Sequence, residues 1–286
     1  MQIIDIHSHW GTRRGYPLRT AEELAQQKRT WNSEPTYHSE AEMAGYFRAS
    51  SVRTILDFGF TKFIPLTEAR DVHDYGFETQ RNHPDVILGH WIHIDPHTGA
   101  DGVRELRRCI DRAPGFIGFA VSGSGSGPAS DAAWEPFYDL CIEARIPALV
   151  FVGTTGLGAG LPGGGGIIVD DCHPRHLDRV AARHPTLTLV AARPGWPWQP
   201  ETLAVLLHKR NVWYELHGWS PRYFTPELKH EIPRRLRERV MFGADYPLFT
   251  YERLLRDWRA EGYGEEVLAD VLHDNAERFL AQVSRS

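Results

Sequence analysis

Eight short apolar runs, rich in β-branched residues, recur along this chain of 286 residues, and charged segments with helical periodicity separate them. Such runs, bounded by turn residues, are typical of strands that are buried on both faces of a parallel sheet. Eight of them in alternation with helices predict an α/β fold, a closed (β/α)8 TIM barrel, rather than an open sheet. The predicted strands are Ile3–His7, Thr54–Phe58, Val86–Ile94, Phe116–Val121, Ala148–Val152, Leu187–Ala192, Val212–Leu216 and Val240–Gly243. Amphipathic segments predict helices at Gly102–Ala113, Trp134–Ala144, Pro174–His184 and Thr202–Lys209.

The length of the chain fits one barrel, so we expect residues 1–286 to form a single (β/α)8 domain. Two segments, near 11–38 and 153–170, are too long for simple connections, and the second is rich in glycine. Both follow predicted strands at the end of the barrel where chemistry takes place, which favours lids or binding loops. Tight backbone packing is the alternative for the glycine-rich segment, and its lack of a GxxxxGK[ST] order argues against phosphate binding.

The overall charge and the cysteines exclude several classes of function. A formal net charge of −5 gives no reason to expect nucleic acid or an anionic membrane as a partner, so we expect a small-molecule substrate. Cys109, Cys141 and Cys172 lie far apart without CxxC spacing, which predicts a reducing compartment and no disulfides. With no visible signal peptide and no apolar run near the ~20 residues of a membrane span, we expect a cytoplasmic protein. Assembly into a homo-oligomer stays open.

The first predicted strand ends in His7-Ser8-His9. Residues two apart in a strand face the same side, so both imidazoles project into one space and can ligate one metal ion. The position of the pair at the carboxyl end of the strand favours this function, because that end opens on the catalytic face. A purely structural pair of histidines is the alternative.

A carboxylate, Asp245, follows the last predicted strand in the segment Phe-Gly-Ala-Asp-Tyr-Pro. In a closed barrel the last strand neighbours the first, so Asp245 can meet His7 and His9. It can ligate a metal ion and also act as general base on a bound water. An aspartate that caps the following turn, with Pro247 ending the strand, is the alternative.

The His-x-His strand, the Phe-Gly-Ala-Asp-Tyr-Pro segment and a last helix with Asn275, Ala276 and Phe279 resemble the amidohydrolase-related family over essentially the whole chain. That family contains carboxymuconate-semialdehyde decarboxylases, resorcylate-type decarboxylases and hydrolases of small carboxylated substrates. The segments 193–199 and 218–224 resemble a narrower branch that includes hydrolases of aryl β-ketoacyl thioesters. The resemblance implies a barrel enzyme that uses a divalent metal, with zinc as the expected ion.

The chain departs from the family at three polar positions. The resemblance implies a metal-binding His after the fifth strand and another after the sixth, but Phe151 and Arg193 stand there, and the fourth strand has no matching Lys. Phe151 cannot ligate a metal, and the permanently charged Arg193 can act neither as a ligand nor as a base. Arg193 can instead clamp a substrate carboxylate, with a salt bridge to a nearby carboxylate as the alternative. A metal-free site is therefore the alternative to zinc.

Further candidates surround this site. His217, at the end of the seventh strand, can replace a lost ligand or act as a general acid, or it is a hydrogen-bonded histidine without a catalytic part. Trp196, Trp219 and Phe151 are candidates for substrate binding, although aromatic residues at a barrel mouth also serve as packing. His90 and His93 have odd spacing on the third strand, so at most one of them faces inward.

Three functions follow from this set. The first is a hydrolase acting on a small carboxylated or β-ketoacyl, aromatic substrate, with water activated by Asp245 with or without a metal. The second is a non-oxidative decarboxylase or other C–C lyase in which Arg193 holds a carboxylate. The third is a barrel that has lost amidohydrolase chemistry and serves another purpose.

Overall fold

The computed structural model describes residues 2–16, 25, 28–30 and 37–283. All eight predicted strands are present, most of them with bounds shifted by a few residues. No bound moves by more than two residues, and the second strand both begins and ends earlier than the pattern predicts. The strands are β1 (Ile3–Ser8), β2 (Val52–Asp57), β3 (Ile87–Ile92), β4 (Phe116–Val121), β5 (Ala148–Phe151), β6 (Leu189–Ala192), β7 (Val212–Glu215) and β8 (Val240–Met241).

Helices follow the strands and form the outer layer. The four predicted helices are found within two or three residues of their expected bounds. Among the described residues the α-helices are α1 (Glu40–Ala49), α2 (Leu66–Asn82), α3 (Ala100–Arg112), α4 (Glu135–Ala144), α5 (Pro174–Arg183), α6 (Gln199–His208), α7 (Pro226–Glu231), α8 (Tyr251–Ala260), α9 (Glu265–Ala269) and α10 (Asn275–Val283). None of these helices is both long and apolar enough to cross a membrane.

The strands form one parallel sheet in the order β1 to β8, as the alternating pattern predicts. Backbone hydrogen bonds join the last strand and the segment after it to β1. The Ile6 amide donates to the Phe242 carbonyl at 3.0 Å, and the Asp245 amide donates to the His7 carbonyl at 2.9 Å. The sheet therefore closes into a barrel, and its closing seam runs directly past Asp245.

The barrel interior is filled by apolar side chains, so it is a packed core below the site. Trp91 is fully buried, and its indole Nε1 donates to the Ile6 carbonyl at 2.8 Å. Phe279 of α10 packs against Trp91 and Trp213 and closes the amino end of the barrel. The Asn275 side-chain amide fixes this helix by donating to the Val240 carbonyl at 2.7 Å. These contacts explain why the last helix carries Asn275 and Phe279.

The two predicted insertions differ in how far the structure describes them. Much of the segment 11–38, including Trp31 and Pro35, lies outside the described residues. The glycine-rich segment after β5 begins with Gly153, which has a φ of 82° and packs against the backbone of Gly195. A Cβ at Gly153 would lie 2.6 Å from the Gly195 carbonyl carbon, so a side chain does not fit there. This end of the segment therefore serves tight packing between the loops after β5 and β6.

Gly118 of β4 offers a test of the packing in the barrel core. A Cβ at this position would lie 2.1 Å from the Trp91 ring, which has no room to move. We expect Gly118→Ala to destabilise the protein by about 3 kcal/mol, because overpacking a full core forces side chains and backbone apart. The measurement is the Tm of the purified variant. The matched control is Gly45→Ala on the exposed face of α1, where a Cβ meets nothing within 4 Å and adds helix propensity. Equal Tm values for Gly118→Ala and the unaltered protein would contradict this packing.

Candidate active site

The structure brings the predicted site residues together at the carboxyl end of the barrel. The ring centroids of His7 and His9 lie 5.6 Å apart, and His9 Nε2 lies 3.0 Å from Asp245 Oδ1. His217 and Phe151 contact His7, and Arg193 contacts both His217 and Phe151. Trp196 and Trp219 lie in the loops after β6 and β7, above this cluster.

A β-bulge in β1 causes His7 and His9 to face the barrel interior. Ile4 and Ile6 point into the core, so in a regular strand His7 would point outward with Asp5. The pairing of β1 with β2 shifts between Asp5 and Ser8, where β1 uses three residues against two in β2. This extra residue turns His7 into the barrel. Alternation along the strand predicts that His7 and His9 share a face, but the bulge determines which face it is.

The buried Asp5 carboxylate holds the bulge in place. Its Oδ1 accepts hydrogen bonds from the backbone amides of His7 at 2.9 Å and Ala244 at 3.2 Å. Its Oδ2 accepts from the Ser8 hydroxyl at 2.5 Å and from the Tyr251 hydroxyl at 2.6 Å. Burial raises the pKa of Asp5, and these four donors oppose that effect. Asp5 thus links β1, the segment after β8 and α8 directly beneath the site.

The contact between His9 and Asp245 requires a cation. His9 Nδ1 lies 2.9 Å from the carbonyl oxygen of Asp57, which can only accept, so Nδ1 carries a hydrogen. In the neutral ring, Nε2 is then also an acceptor, yet it faces the Asp245 carboxylate at 3.0 Å. Two acceptors this close need a proton or a metal ion between them. Burial acts to raise the pKa of Asp245, but the neighbouring histidines hold it well below its usual range, so the carboxylate is ionised.

His7 lies between two further carboxylates. His7 Nε2 is 3.8 Å from Asp57 Oδ2, and His7 Nδ1 is 3.5 Å from Glu215 Oε1. Burial alone lowers the pKa of His7, but the charges of Asp57 and Glu215 outweigh it and raise the pKa to about 9. His7 also stacks on His217, with ring centroids 3.5 Å apart. Its Nδ1 is buried without a hydrogen-bond partner, because Glu215 Oε1 at 3.5 Å is too far away for a good hydrogen bond.

Asp57 and His93 belong to the site, although neither was among the predicted site residues. His93 faces inward, as the spacing of the pair allows, and its Nε2 lies 2.6 Å from Asp57 Oδ2. His90 faces outward, where it stacks on Phe58. Burial acts to raise the pKa of Asp57, but His93 and His7 hold it well below its usual range. Asp57 could have been identified from its position at the carboxyl end of β2, because the catalytic residues of barrel enzymes lie at the carboxyl ends of the strands.

Glu215, His217 and Arg193 form a chain of hydrogen bonds. His217 Nδ1 lies 2.5 Å from Glu215 Oε1, so it is the donor, and His217 Nε2 accepts from Arg193 Nε at 3.2 Å. Burial lowers the pKa of His217, in keeping with a neutral ring. Burial acts to raise the pKa of Glu215, but His217 and His7 lower it to about 2. Glu215 was not among the predicted site residues, although its spacing of two from His217 repeats that of His7 and His9.

Arg193 is held by neutral partners rather than by a carboxylate. Besides the bond to His217, its Nη1 donates to the Thr154 carbonyl at 3.2 Å, and its guanidinium lies 4.9 Å from the centroid of the Phe151 ring. Within the described residues it forms no ion pair. These bonds use two of its five N–H donors, so three are left for a ligand.

Two of the candidate residues have strained backbones. Arg193 has a φ of 74° and Asp245 a φ of 59°, in the left-handed region that non-glycine residues rarely adopt. Such conformations cost roughly 1–3 kcal/mol and collect at functional sites. Gly218, beside Asp245, also has a positive φ of 75°, and a Cβ there would lie 3.0 Å from Asp245 Oδ2. The glycine leaves that oxygen accessible.

Aromatic side chains line the mouth of the barrel. The ring centroids of Trp196 and Trp219 are 6.0 Å apart, and those of Trp219 and Tyr223 are 6.5 Å apart. Trp196 is 47% exposed and Tyr223 is 57% exposed. Deeper in the barrel, Phe151 directs its edge at His7 and His217, with centroids 5.7 and 5.6 Å away. The site therefore has an apolar entrance above a charged floor.

The described residues contain two groups in the barrel that can hold a metal ion. One is His7, His9 and Asp245, and the other is His7, Glu215 and His217; in each, the ligand atoms lie within 4.8 Å of one another. The first group fits better, because the His9–Asp245 contact requires a cation while His217 Nε2 already accepts from Arg193. A third group, His73, Glu105 and Cys109, lies between α2 and α3. There Glu105 already binds Arg70 and Arg108, so the group is an ion-pair network.

Comparisons with known proteins agree with this architecture. The structure is similar to 5-carboxyvanillate decarboxylase from Sphingomonas paucimobilis, with 15% identity and a TM-score of 0.68 over 98% of this chain and 99% of that chain. For 2,6-dihydroxybenzoate decarboxylase from Rhizobium the identity is 15% and the TM-score 0.68, over 99% of this chain and 100% of that chain. For a probable 2-pyrone-4,6-dicarboxylic acid hydrolase from Acinetobacter baumannii the identity is 13% and the TM-score 0.61, over 98% of this chain and 100% of that chain. At these identities the likeness shows the fold alone.

The sequence comparisons identify the family. No curated protein matches this chain at a significant level. The family model described as "Amidohydrolase", however, matches residues 4–282, which is nearly the whole chain. The match includes His7, His9 and Asp245 at the closing seam of the barrel. The chain therefore belongs to the amidohydrolase family of barrel enzymes.

Proposed function

We propose that this protein is a hydrolase that acts on a small aromatic substrate with a carboxylate or β-ketoacyl group, and that it uses one zinc ion. The observation that carries the proposal is the contact of 3.0 Å between His9 Nε2 and Asp245 Oδ1. That contact requires a proton or a metal ion, and it lies at the end of the barrel where barrel enzymes carry out chemistry, which supports the metal ion. Nitrogen and carboxylate ligands suit zinc, and three protein ligands leave a position open for water.

The ion would be held by His7, His9 and Asp245. When bound, it supplies a more acidic water and polarises the substrate carbonyl. His9 is oriented for this task by the Asp57 carbonyl, which fixes the hydrogen on Nδ1 and directs Nε2 toward Asp245. His7 must release its proton to act as a ligand, because only the neutral ring offers a lone pair.

Asp245 is the base in this proposal. Its Oδ1 faces His9, while Oδ2 lies over Gly218 in space that a side chain would fill. The carboxylate is ionised, so Oδ2 can accept a proton from the attacking water. The left-handed backbone at Asp245 holds the side chain in this position.

Arg193 orients the substrate. Its unused N–H donors can make paired, charge-assisted hydrogen bonds to a carboxylate or to an enolate oxygen. Phe151, beneath the guanidinium, and Trp196 and Trp219 at the mouth offer apolar surfaces for an aromatic ring. The substrate is thus held at its acidic end inside the barrel and at its apolar end near the entrance.

A decarboxylase is the second candidate, and the position of Arg193 favours it. A carboxylate bound by Arg193 would lie beside His217 and the protonated ring of His7 stacked on it, and His7 could give its proton to carbon after CO2 leaves. Product analysis separates the two functions on a panel of hydroxybenzoates and aryl β-ketoacyl thioesters. Hydrolysis in H2(18)O places the label in the product acid, whereas decarboxylation releases CO2. A barrel that has lost this chemistry would convert neither the hydroxybenzoates nor the thioesters.

Removal of the metal tests the first step of the proposal. We expect about one zinc per chain in the purified protein, loss of activity after chelation, and recovery when zinc is restored. His9→Ala should lower the zinc content, because it removes one of three ligands. The matched control is His90→Ala, which removes a buried imidazole on the outer side of β3. Full activity of the metal-stripped protein would overturn the metal-dependent form of the proposal.

Substitution of Arg193 tests the substrate contact. Arg193→Lys keeps the charge but loses the paired donors, and we expect kcat/KM to fall by about 30- to 150-fold, equivalent to a loss of about 2–3 kcal/mol. The control is Arg222→Ala, which removes a cation at the rim, where Arg222 lies over Tyr223. Unchanged kcat/KM in Arg193→Ala with a lower Tm would mean that Arg193 serves stability alone.

A further inference from the structure

A second cation lies near the site without a carboxylate partner. Lys62 is in the short 3₁₀ turn Thr61–Phe63 that follows β2, and only 6% of the residue is exposed. Its Nζ donates to the carbonyls of Ser122 at 2.9 Å and Ser124 at 2.6 Å, in the loop after β4. Within the described part of the chain it forms no ion pair.

The Lys62 ammonium group contacts two neutral carbonyls and lies 4.7 Å from the centroid of the Phe63 ring, so within the described residues no carboxylate binds it. Burying a charge is costly unless it is paired, and buried charges in proteins are usually paired. Glu105, buried on the outer side of the barrel, illustrates the rule, because two arginines bind it. Burial lowers the pKa of Lys62 to about 8. Two carbonyls use two of its three N–H donors, so one is left for a ligand.

Lys62 lies at the same end of the barrel as the catalytic cluster, because its turn follows β2 and its Nζ binds the loop after β4. The charges of Asp57 and Arg193 act on Lys62, and the charge of Lys62 acts on His93. The strand order then gives three positions around the mouth. The metal-binding group lies at β1 and β8, Arg193 follows β6, and Lys62 bridges the ends of β2 and β4.

We propose that Lys62 is a second anion-binding residue of the active site, and that the substrate carries two acidic groups. One group binds Arg193 and the other binds Lys62, so that the ring between them is held beside Asp245. This inference rests on the proposed function for the role of Arg193 and deepens it by naming a doubly acidic substrate. The competing role for Lys62 is structural, as a bridge between the loops after β2 and β4.

The first experiment uses matched ligands on the unaltered protein. The probes are phthalate, isophthalate and terephthalate, each compared with its monoamide, which keeps the shape but removes one charge. We expect at least one dicarboxylate to bind about tenfold more tightly than its monoamide in calorimetry, as the loss of a charge-assisted hydrogen bond predicts. Equal affinities within all three pairs would overturn the inference.

The second experiment removes the lysine. Lys62→Met should abolish the preference for the dicarboxylate while leaving the affinity for the monoamide within about threefold, because only the contact with the second charge is lost. The matched control is Lys229→Met, which removes a surface charge that pairs with Glu261. If Lys62→Met still prefers the dicarboxylate, another residue binds the second acidic group and the inference about Lys62 is wrong. Because the readout is binding, absence of hydrolysis would reject the proposed function without affecting this comparison.

Discussion

The closing seam between β1 and the segment after β8 is the constraint on which the site depends. Backbone bonds bring Asp245 beside His7, and the Asp5 carboxylate ties both sides of the seam to α8. The bulge in β1 then turns His7 inward. Without the bulge, the His-x-His pattern would point to the helical layer. A local defect in strand pairing, held by one buried carboxylate, thus converts an ordinary barrel seam into a place where two imidazoles and a carboxylate meet.

Phe151 and Arg193, which stand where the resemblance implies metal-binding histidines, are both accommodated in the site. Phe151 packs its ring against His7 and His217. Arg193 adds a permanent positive charge. Glu215 balances that charge through the neutral ring of His217, since a carboxylate binds Nδ1 while the guanidinium donates to Nε2. The site therefore has its metal-binding side chains on one side, at β1 and β8, and its positively charged side chains on the other.

Much of the fold was predictable from the sequence, and less of the site. The eight apolar runs indicate the strands because short apolar runs bounded by turn residues are typical of strands buried on both faces. His7, His9 and Asp245 were recognisable from their positions at strand ends. The face on which the histidines lie was not predictable, because it depends on a bulge in the pairing of β1 with β2. Asp57 and Lys62 were missed because their roles arise from neighbours distant in sequence, whereas Glu215 was missed although its partner His217 is two residues away. Alternation along β7 could have indicated Glu215 through its spacing from His217.

The central claim is that His7, His9 and Asp245 hold a zinc ion at the contact between His9 Nε2 and Asp245 Oδ1, and diffraction at the zinc absorption edge tests it most directly. Crystals of the protein grown with zinc should show one anomalous peak in the barrel, at about 2.0–2.2 Å from ligand atoms of His7, His9 and Asp245. The ring of His9 should keep its bond to the Asp57 carbonyl. A zinc-soaked crystal with no peak there, and with His9 bound directly to Asp245 at hydrogen-bond distance, would contradict the account and leave a proton as the cation.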